Sequence, residues 1–209
     1  MKTLALALLI PIAFCTACGN REEPMATSAP APVDAAGDAP ASVNAPANPP
    51  APVAAAEPAP LTAHTSLTSV AGRSVQGGLT VVNQGSGVSI RGEITGLAPG
   101  KDHGFHLHEV GECTLPNFAS AGAHFNPTEA AHGGPESTDR HLGDLPNAKA
   151  DADGRALIDV NVEGVTFVDK DGAPTEILGK SIVVHALPDD FKTQPSGGSG
   201  DRIACGVIR

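Results

Sequence analysis

The sequence has few of the side chains that usually mark protein interfaces: it contains no tryptophan, no tyrosine and 6 phenylalanines among 209 residues. Large aromatic side chains are enriched where proteins contact one another. Because they are scarce here, no segment can be identified as a contact surface. A monomer and a homodimer are both compatible with the sequence.

Positive charge is also scarce. From His64 to Arg209 the chain has 11 Lys and Arg residues against 18 Asp and Glu residues, a net charge of −7. Nucleic acids and anionic lipid surfaces attract basic proteins, so this balance argues against both as partners. A small anionic substrate would need a local positive feature.

The apolar run near the N terminus, from Leu4 to Phe14, is too short for a membrane-spanning helix, which needs roughly 20 residues. The run follows Lys2 and is followed by the small residues Thr16 and Ala17, a pattern typical of export signals. We therefore expect residues 1–17 to be a signal peptide and the protein to leave the cytoplasm.

Cys18 directly follows the expected cleavage site. Its context resembles the lipobox of bacterial lipoproteins, in which this cysteine is acylated and becomes the mature N terminus, although that pattern prefers Leu where this chain has Cys15. The resemblance implies attachment to a membrane through a lipidated Cys18. The alternative is ordinary cleavage without an anchor.

Residues 18–62 have few side chains that could be buried. From Pro24 to Pro60, 24 of 37 positions are alanine or proline, so this stretch cannot build a core. Frequent prolines prevent a continuous helix and favour an extended geometry. We expect residues 18–62 to be a tether and residues 63–209 to form one domain.

The domain shows no sustained apolar stripe with helical spacing. Residues 77–97 instead contain short β-branched runs separated by QGSG, and residues 149–164 contain two alternating runs around a D-G turn, both of which are hairpin signals. KSIVVHAL is a further strand. These patterns predict an all-β fold, an antiparallel sandwich or barrel. The segment from Glu109 to Asp144 is too long for an ordinary connection and is interpreted as a functional loop.

Three histidines lie in the stretch HGFHLHE, residues 103–109. His106 and His108 are two positions apart, so on a strand both imidazoles face one side while Phe105 and Leu107 face the core. Such a pair could bind one metal ion. The alternative is a pair of exposed strand histidines.

The long loop adds three imidazoles and a carboxylate at intervals of 8, 9 and 3 residues: His124, His132, His141 and Asp144. This donor set suits a four-coordinate structural zinc ion, which would hold a loop that lacks a core. His185 could join the first pair, because three or four imidazoles with little carboxylate suit copper. Solvated loop histidines and, for His185, a hydrogen-bonded core histidine are the alternatives.

Two cysteines fall in the domain, Cys113 and Cys205. In an exported protein such a pair is most simply a disulfide, and two free thiols are the alternative. A bridge would close a separation of 92 residues and stabilise the fold by about 4 to 5 kcal/mol in the chain-entropy model.

Taken together, HGFHLHE, SAGAHFNP, HGGP, DRHLGDLPN, the VVH strand and GDRIACGVI resemble copper/zinc superoxide dismutases, in order and at matching spacing from about Thr65 to Arg209. The resemblance implies a Greek-key antiparallel β-sandwich or flattened barrel, immunoglobulin-like, with long metal-binding loops. It also implies dismutation of superoxide to dioxygen and hydrogen peroxide by a redox-cycling copper beside a structural zinc, one of each per domain.

The resemblance assigns two sets of ligands that share one histidine. Copper would be bound by His106, His108, His124 and His185, and zinc by His124, His132, His141 and Asp144. His124 would bridge the two metals as an imidazolate and is counted with the catalytic residues. Asp189 matches the outer carboxylate that hydrogen-bonds one ligand histidine of each metal, although a surface turn residue is the alternative. His103 matches a histidine that hydrogen-bonds the backbone beside the site.

Arg202 matches the catalytic arginine beside the copper, which attracts and orients superoxide. This residue would supply the local positive feature that an anionic substrate needs, whereas a surface arginine in an ion pair is the alternative. Lys192 could add to the positive field. His64, at the junction with the tether, is given no role.

The position of Cys113, five residues after His108, and the short Gly-rich segment before Arg202 resemble the bacterial exported branch of the family. That implies a periplasmic, membrane-anchored enzyme that protects the cell envelope from superoxide. Two other classes of function compete. A copper-storing or copper-delivering module would not need Arg202, and a purely structural lipoprotein would not need histidines in this order.

Overall fold

The computed structural model describes residues 59–168 and 174–209, which fall within one compact unit, residues 54–209. The signal peptide expected at residues 1–17, Cys18 and the tether up to residue 58 lie outside the described residues. The first strand begins at Thr62, one residue before the domain boundary expected at residue 63.

The described residues form nine strands and one short 3-10 helix, with no α-helix among them and therefore no helix that could cross a membrane. The strands are β1 (Thr62–Ser69), β2 (Gln76–Asn83), β3 (Gly87–Thr95), β4 (Asp102–His103), β5 (Phe105–His108), β6 (Ala148–Lys149), β7 (Ala156–Glu163), β8 (Ser181–His185) and β9 (Arg202–Val207), and the 3-10 helix is Ala119–Ala121. The predicted all-β fold is confirmed.

Seven strands form one curled antiparallel sheet in the order β5-β8-β9-β1-β2-β3-β7, and β4 pairs with β6 in a separate ladder. The sheet has two halves, β5-β8-β9-β1 and β1-β2-β3-β7. Strand β1 belongs to both, because residues 62–67 pair with β2 and residues 68–69 pair with β9. The connections from β3 to β5, from β5 to β7 and from β7 to β8 cross between the halves. This crossing pattern agrees with the expected Greek-key arrangement.

Alternating burial along the strands builds the core between the two halves. In β1, Ala63, Thr65 and Leu67 are buried and the residues between them are exposed, which is the period of two that a strand imposes. In β5, Phe105 and Leu107 belong to the same core and are fully buried. Since burying one such side chain stabilises the fold by about 1.5 to 3 kcal/mol, this pair fixes the register of the strand that carries His106 and His108.

The hairpin predicted for residues 77–97 is confirmed as β2 and β3, which pair over their full length. The hairpin predicted for residues 149–164 is wrong. The turn itself forms, because the backbone N–H of Asp151 donates to the carbonyl of Arg155 at 2.8 Å. The strand before the turn, however, is only two residues long and pairs with β4, whereas β7 pairs with β3. Alternation identifies a strand but not its neighbour.

The long segment between β5 and β6 contains only the short 3-10 helix and isolated bridges, as expected for a functional loop. The predicted disulfide is present: Cys113 in this loop is bonded to Cys205 in β9, with the two Cα atoms 5.6 Å apart. The bond therefore ties the loop to the strand that begins with Arg202.

Candidate metal centre

Four buried histidines converge at one end of the sheet. His106 and His108 come from β5, His185 ends β8, and His124 comes from the long loop, and their ligand atoms all lie within 4.8 Å of one another. Each ring has one nitrogen that is buried and has no hydrogen-bond partner: Nδ1 of His106 and Nε2 of His108, His124 and His185. Because a buried polar atom without a partner is unfavourable, these four lone pairs fit a metal ion.

The opposite nitrogen of each of these rings is occupied. Nδ1 of His108 donates to the carbonyl of Gly122 at 3.0 Å, and Nδ1 of His185 donates to the carbonyl of Gly200 at 3.1 Å. On His106, Nε2 lies 2.8 Å from Oδ2 of Asp189. These partners fix the orientation of each ring and leave the other nitrogen as a lone-pair donor.

A second group surrounds one oxygen of Asp144. The Nδ1 atoms of His124, His132 and His141 lie 2.8, 3.0 and 3.0 Å from Oδ1 of this carboxylate. The contact from His132 lacks hydrogen-bond geometry, so its Nδ1 is buried without a partner. Three imidazoles and one carboxylate are a donor set suited to zinc.

Burial by itself would raise the pKa of Asp144. Hydrogen bonds from His124 and from the backbone N–H of Gly133 outweigh this effect and hold the pKa below its usual range. Asp144 is therefore an anion near neutral pH, as a metal ligand must be.

Burial also keeps three histidines of the first group neutral: His106, His108 and His185. It lowers the pKa of His106 and His108 well below the usual value, and neighbouring imidazoles add to the effect. For His185, burial lowers the pKa to about 4 despite its hydrogen bond to Gly200. Neutral imidazoles are the form that binds metal.

Asp189 connects the two groups. Its Oδ2 lies 2.8 Å from Nε2 of His106, and its Oδ1 lies 3.0 Å from Nε2 of His132. The amide of Asn147 holds the backbone of Asp189 at two points, since Nδ2 donates to its carbonyl at 2.9 Å and Oδ1 accepts from its N–H at 2.8 Å. Gly197 also packs here, where a Cβ would overlap Asp189 Oδ1.

Arg202 lies beside the first group and lines a cavity of about 560 Å³ together with His108, His124 and His185. Its Nη1 donates to the carbonyl of Phe118 and its Nη2 to the carbonyl of Gly122, both at 2.6 Å. The Gly122 carbonyl also accepts from His108. One loop carbonyl thus positions both the arginine and a histidine of the group.

Three further residues considered in the sequence, His103, Lys192 and His64, lie outside the two groups. Nδ1 of His103 lies 2.8 Å from the carbonyl of His185, so it contacts the backbone beside the site. Lys192 is exposed and is not among the residues that line the cavity. Nδ1 of the exposed His64 lies 3.3 Å from the hydroxyl of Thr80.

Asn147 and Gln194 contact the backbones of site residues, yet the sequence gives them no role. Asn147 stands in the DRHLGDLPN motif three residues after Asp144, which is the only signal that could have identified it. Gln194 makes its contact across 62 residues of chain. Nothing local in the sequence indicates such a contact.

Comparison with known families and proteins gives consistent matches. The family model described as copper/zinc superoxide dismutase (SODC) matches residues 75–208. "Superoxide dismutase [Cu-Zn] 2" of Aquifex aeolicus is 40% identical over 152 residues, covering 71% of this chain and 87% of that protein. "Superoxide dismutase [Cu-Zn]" of Caulobacter vibrioides is 46% identical over 138 residues, covering 64% of this chain and 78% of that protein.

Solved structures share the fold as well as the sequence. A double mutant of a SOD-like protein from Bacillus subtilis aligns with a TM-score of 0.62 at 38% identity, covering 68% of this chain and 94% of that chain. The clock protein EA4 aligns with a TM-score of 0.63 at 34% identity, covering 72% of this chain and 95% of that chain.

Proposed function

The chain belongs to the copper/zinc superoxide dismutase family, and from that premise we propose which residues make it an enzyme and where it acts. Its activity is the conversion of two superoxide anions and two protons into dioxygen and hydrogen peroxide, and its metals are copper and zinc. The observation that carries the proposal is the pair of buried donor groups that share His124.

Copper is assigned to the all-imidazole group and zinc to the group with the carboxylate. The assignment rests on donor chemistry, because imidazoles without carboxylate suit copper and three imidazoles with one carboxylate suit tetrahedral zinc. The copper ligands are His106, His108, His124 and His185, and the zinc ligands are His124, His132, His141 and Asp144. Asp189, hydrogen-bonded to one histidine of each set, orients both.

Bound copper supplies one-electron exchange, by which one superoxide is oxidised and a second is reduced. The protein residues attract the anion, orient it and supply a proton site. Arg202 supplies a guanidinium to the lining of the cavity. The carboxylate of Glu109, which also lines the cavity, accepts a hydrogen bond from the backbone N–H of Ala123. His124 offers Nε2 as a site that holds a proton when it is uncoordinated, while its Nδ1 stays beside Asp144.

The bridging role of His124 is tested by His124→Ala. Because this residue belongs to both groups, we expect the variant to lose copper binding and activity and to weaken zinc binding, measured as metal content after dialysis. His64→Ala, on the exposed part of β1, is the matched control. Full activity and full metal content in His124→Ala would overturn the bridging role.

Sustained turnover tests the function itself against a copper-binding module. A dismutase consumes many superoxide anions per copper, whereas copper that is only stored or delivered reacts with about one. We expect the copper- and zinc-loaded protein to keep superoxide decay above the spontaneous rate through a large molar excess of superoxide. Decay that returns to the spontaneous rate after about one superoxide per copper would indicate the binding module instead.

We propose further that the enzyme is exported and anchored in the cell envelope, where it removes extracytoplasmic superoxide. Residues 1–17, Cys18 and the Ala- and Pro-rich tether support this location, and relatives include bacterial proteins and one named extracellular. Mass spectrometry of the mature protein should detect an acylated Cys18. An unmodified residue at the mature N terminus would contradict lipidation while leaving the enzymatic proposal intact.

A further inference from the structure

The side chain of Gln194 holds the backbone of His132, one of the four residues assigned to zinc. The N–H of His132 donates to Oε1 of Gln194, and Nε2 of Gln194 donates to the carbonyl of His132, both at 2.8 Å. A primary amide has one acceptor and one donor group side by side, so it matches both polar atoms of a single residue's main chain. The two residues are 62 positions apart.

This contact lies next to one of the two hydrogen bonds by which Asp189 connects the group assigned to copper with the group assigned to zinc. His132 reaches Asp189 through Nε2, and Asn147 holds the backbone of Asp189 at two points in the same manner. Asn147 follows the long loop and holds the backbone of Asp189, which lies in the segment after β8. Gln194 belongs to that segment and holds the backbone of His132, which lies in the long loop. The His132–Asp189 hydrogen bond is thus fastened at both ends.

Gln194 directly precedes two residues that line the substrate cavity. The next two residues, Pro195 and Ser196, line the cavity together with His124 and Arg202. The segment that the Gln194 amide attaches to His132 is therefore the segment that borders the approach to the copper group.

We propose that Gln194 is a positioning residue that holds His132 in place for zinc and couples zinc binding to the wall of the substrate cavity. This inference rests on the assignment of zinc to the group that contains His132. With its backbone held by Gln194 and its Nε2 held by Asp189, His132 has its Nδ1, which is buried and has no hydrogen-bond partner, fixed beside Asp144. Outer contacts of this kind commonly change metal affinity by 10- to 100-fold.

A role in general stability would have a different signature. The two hydrogen bonds of Gln194 to the buried His132 are themselves partly buried, so their loss lowers the stability of the zinc-free protein to some extent in either case. A role in stability alone would leave zinc release from the folded protein unchanged, so zinc release is the measurement that separates the two roles.

The test compares two substitutions at this position with one control in the zinc-loaded full chain. Gln194→Met keeps the length of the side chain and removes both hydrogen bonds, and Gln194→Glu keeps the acceptor for the His132 N–H but loses the donor to its carbonyl. Gln76→Met makes the same change at an exposed position of β2. The measurement is the rate at which zinc passes to a chromogenic chelator.

We expect zinc release about tenfold faster in Gln194→Met, an intermediate rate in Gln194→Glu and the wild-type rate in Gln76→Met. Equal rates in wild type and Gln194→Met would overturn the inference alone. If the Met variant does not fold, the Glu variant decides, since a wild-type rate there overturns the inference and a faster rate supports it. A wild type that binds no zinc would instead overturn the zinc assignment, and the inference with it.

Hydrogen exchange tests the coupling to the cavity wall. In the wild type, zinc should slow exchange at the amides of Ser196 and Gly197 by several-fold, and in Gln194→Met this slowing should be absent. Zinc-dependent protection that is the same in both proteins would contradict the coupling.

Discussion

At the scale of single residues, the role of each histidine depends on what its two ring nitrogens contact. In the all-imidazole group, one nitrogen of each ring has a hydrogen-bond partner and the other is buried without one. A hydrogen bond on one side selects the tautomer that leaves a lone pair on the other. The four lone pairs left in this way lie within 4.8 Å of one another, which is the arrangement that one metal ion requires.

Arg202→Ala should lower kcat/KM for superoxide by about tenfold, because a single cation beside the reaction site attracts and orients an anionic substrate. Arg202→Lys should recover part of the loss, since lysine keeps the charge but not the planar fork that reaches two carbonyls. Both effects are measured by the rate of superoxide decay with protein of equal copper content.

The control for this prediction is Arg91→Ala, whose side chain pairs with Asp159 on the exposed face of the sheet. It removes the same charge away from the cavity. An equal fall in both alanine variants would assign the effect to net charge instead of to the position of Arg202.

The metal-free protein should lose stability as the pH falls from about 6.5 towards 4. In the unfolded chain these histidines take up protons near pH 6.5, whereas burial lowers the pKa of His106, His108 and His185 in the folded protein. The unfolded state therefore binds more protons in this window, and the free energy of unfolding decreases. The share of the loss that comes from His185 should level off once this residue, with a pKa of about 4, is protonated in the folded state as well.

Urea unfolding of the metal-free protein at pH 7.5, 6 and 5 measures this loss, and the copper- and zinc-loaded protein is the comparison. Bound metal competes with protons for the same nitrogens, so the loaded protein should resist acid to a lower pH. A metal-free protein with constant stability across this range would contradict the buried, neutral state of the histidines.

At the scale of secondary-structure elements, strands position the histidines of the all-imidazole group. The loop that the disulfide bonds to β9 carries the two carbonyls that hold Arg202. Strand β5 supplies two of the four clustered imidazoles because its alternate residues are anchored in the core, and β8 supplies a third at its end. The Cys113–Cys205 bond joins the loop to β9, and that loop provides the carbonyls of Phe118 and Gly122 that hold Arg202.

Replacing Cys113 and Cys205 together by Ser should lower the free energy of unfolding by about 4 to 5 kcal/mol, the chain-entropy value for a loop of this length. It should also reduce kcat/KM, because the carbonyls that orient Arg202 are no longer tied to its strand. Urea unfolding and superoxide decay measure the two effects. Unchanged activity with lower stability would show that the loop holds Arg202 without the disulfide.

Much of this site could be predicted from the sequence because its donors are distinctive residues at fixed spacing. The i and i+2 histidines of β5 and the loop set that ends at Asp144 are brought together as expected. The pairing of β6 with β4 and the contacts of Asn147 and Gln194 could not be predicted. They depend on which distant segments meet in the fold, and neither alternation nor a side-chain amide specifies its partner.

At the scale of the whole molecule, a net negative domain must accept an anionic substrate. Residues 64–209 carry a net charge of −7, and charges farther away than about 8 Å are screened at physiological salt. We therefore propose that the local cation Arg202, which lines the cavity, dominates the attraction near the site. Added salt should slow the wild-type enzyme and affect Arg202→Ala much less.

Catalysis by this site is measured most simply as the decay of superoxide, followed by stopped flow, with full chain that carries one copper and one zinc. Superoxide dismutase is a standard example of an enzyme that works near the diffusion limit. We therefore expect catalysed decay of that speed, which slows with added salt and is absent from protein loaded with zinc alone. Decay at the spontaneous rate, despite full occupancy by both metals, would contradict the conclusion that this site is a superoxide dismutase.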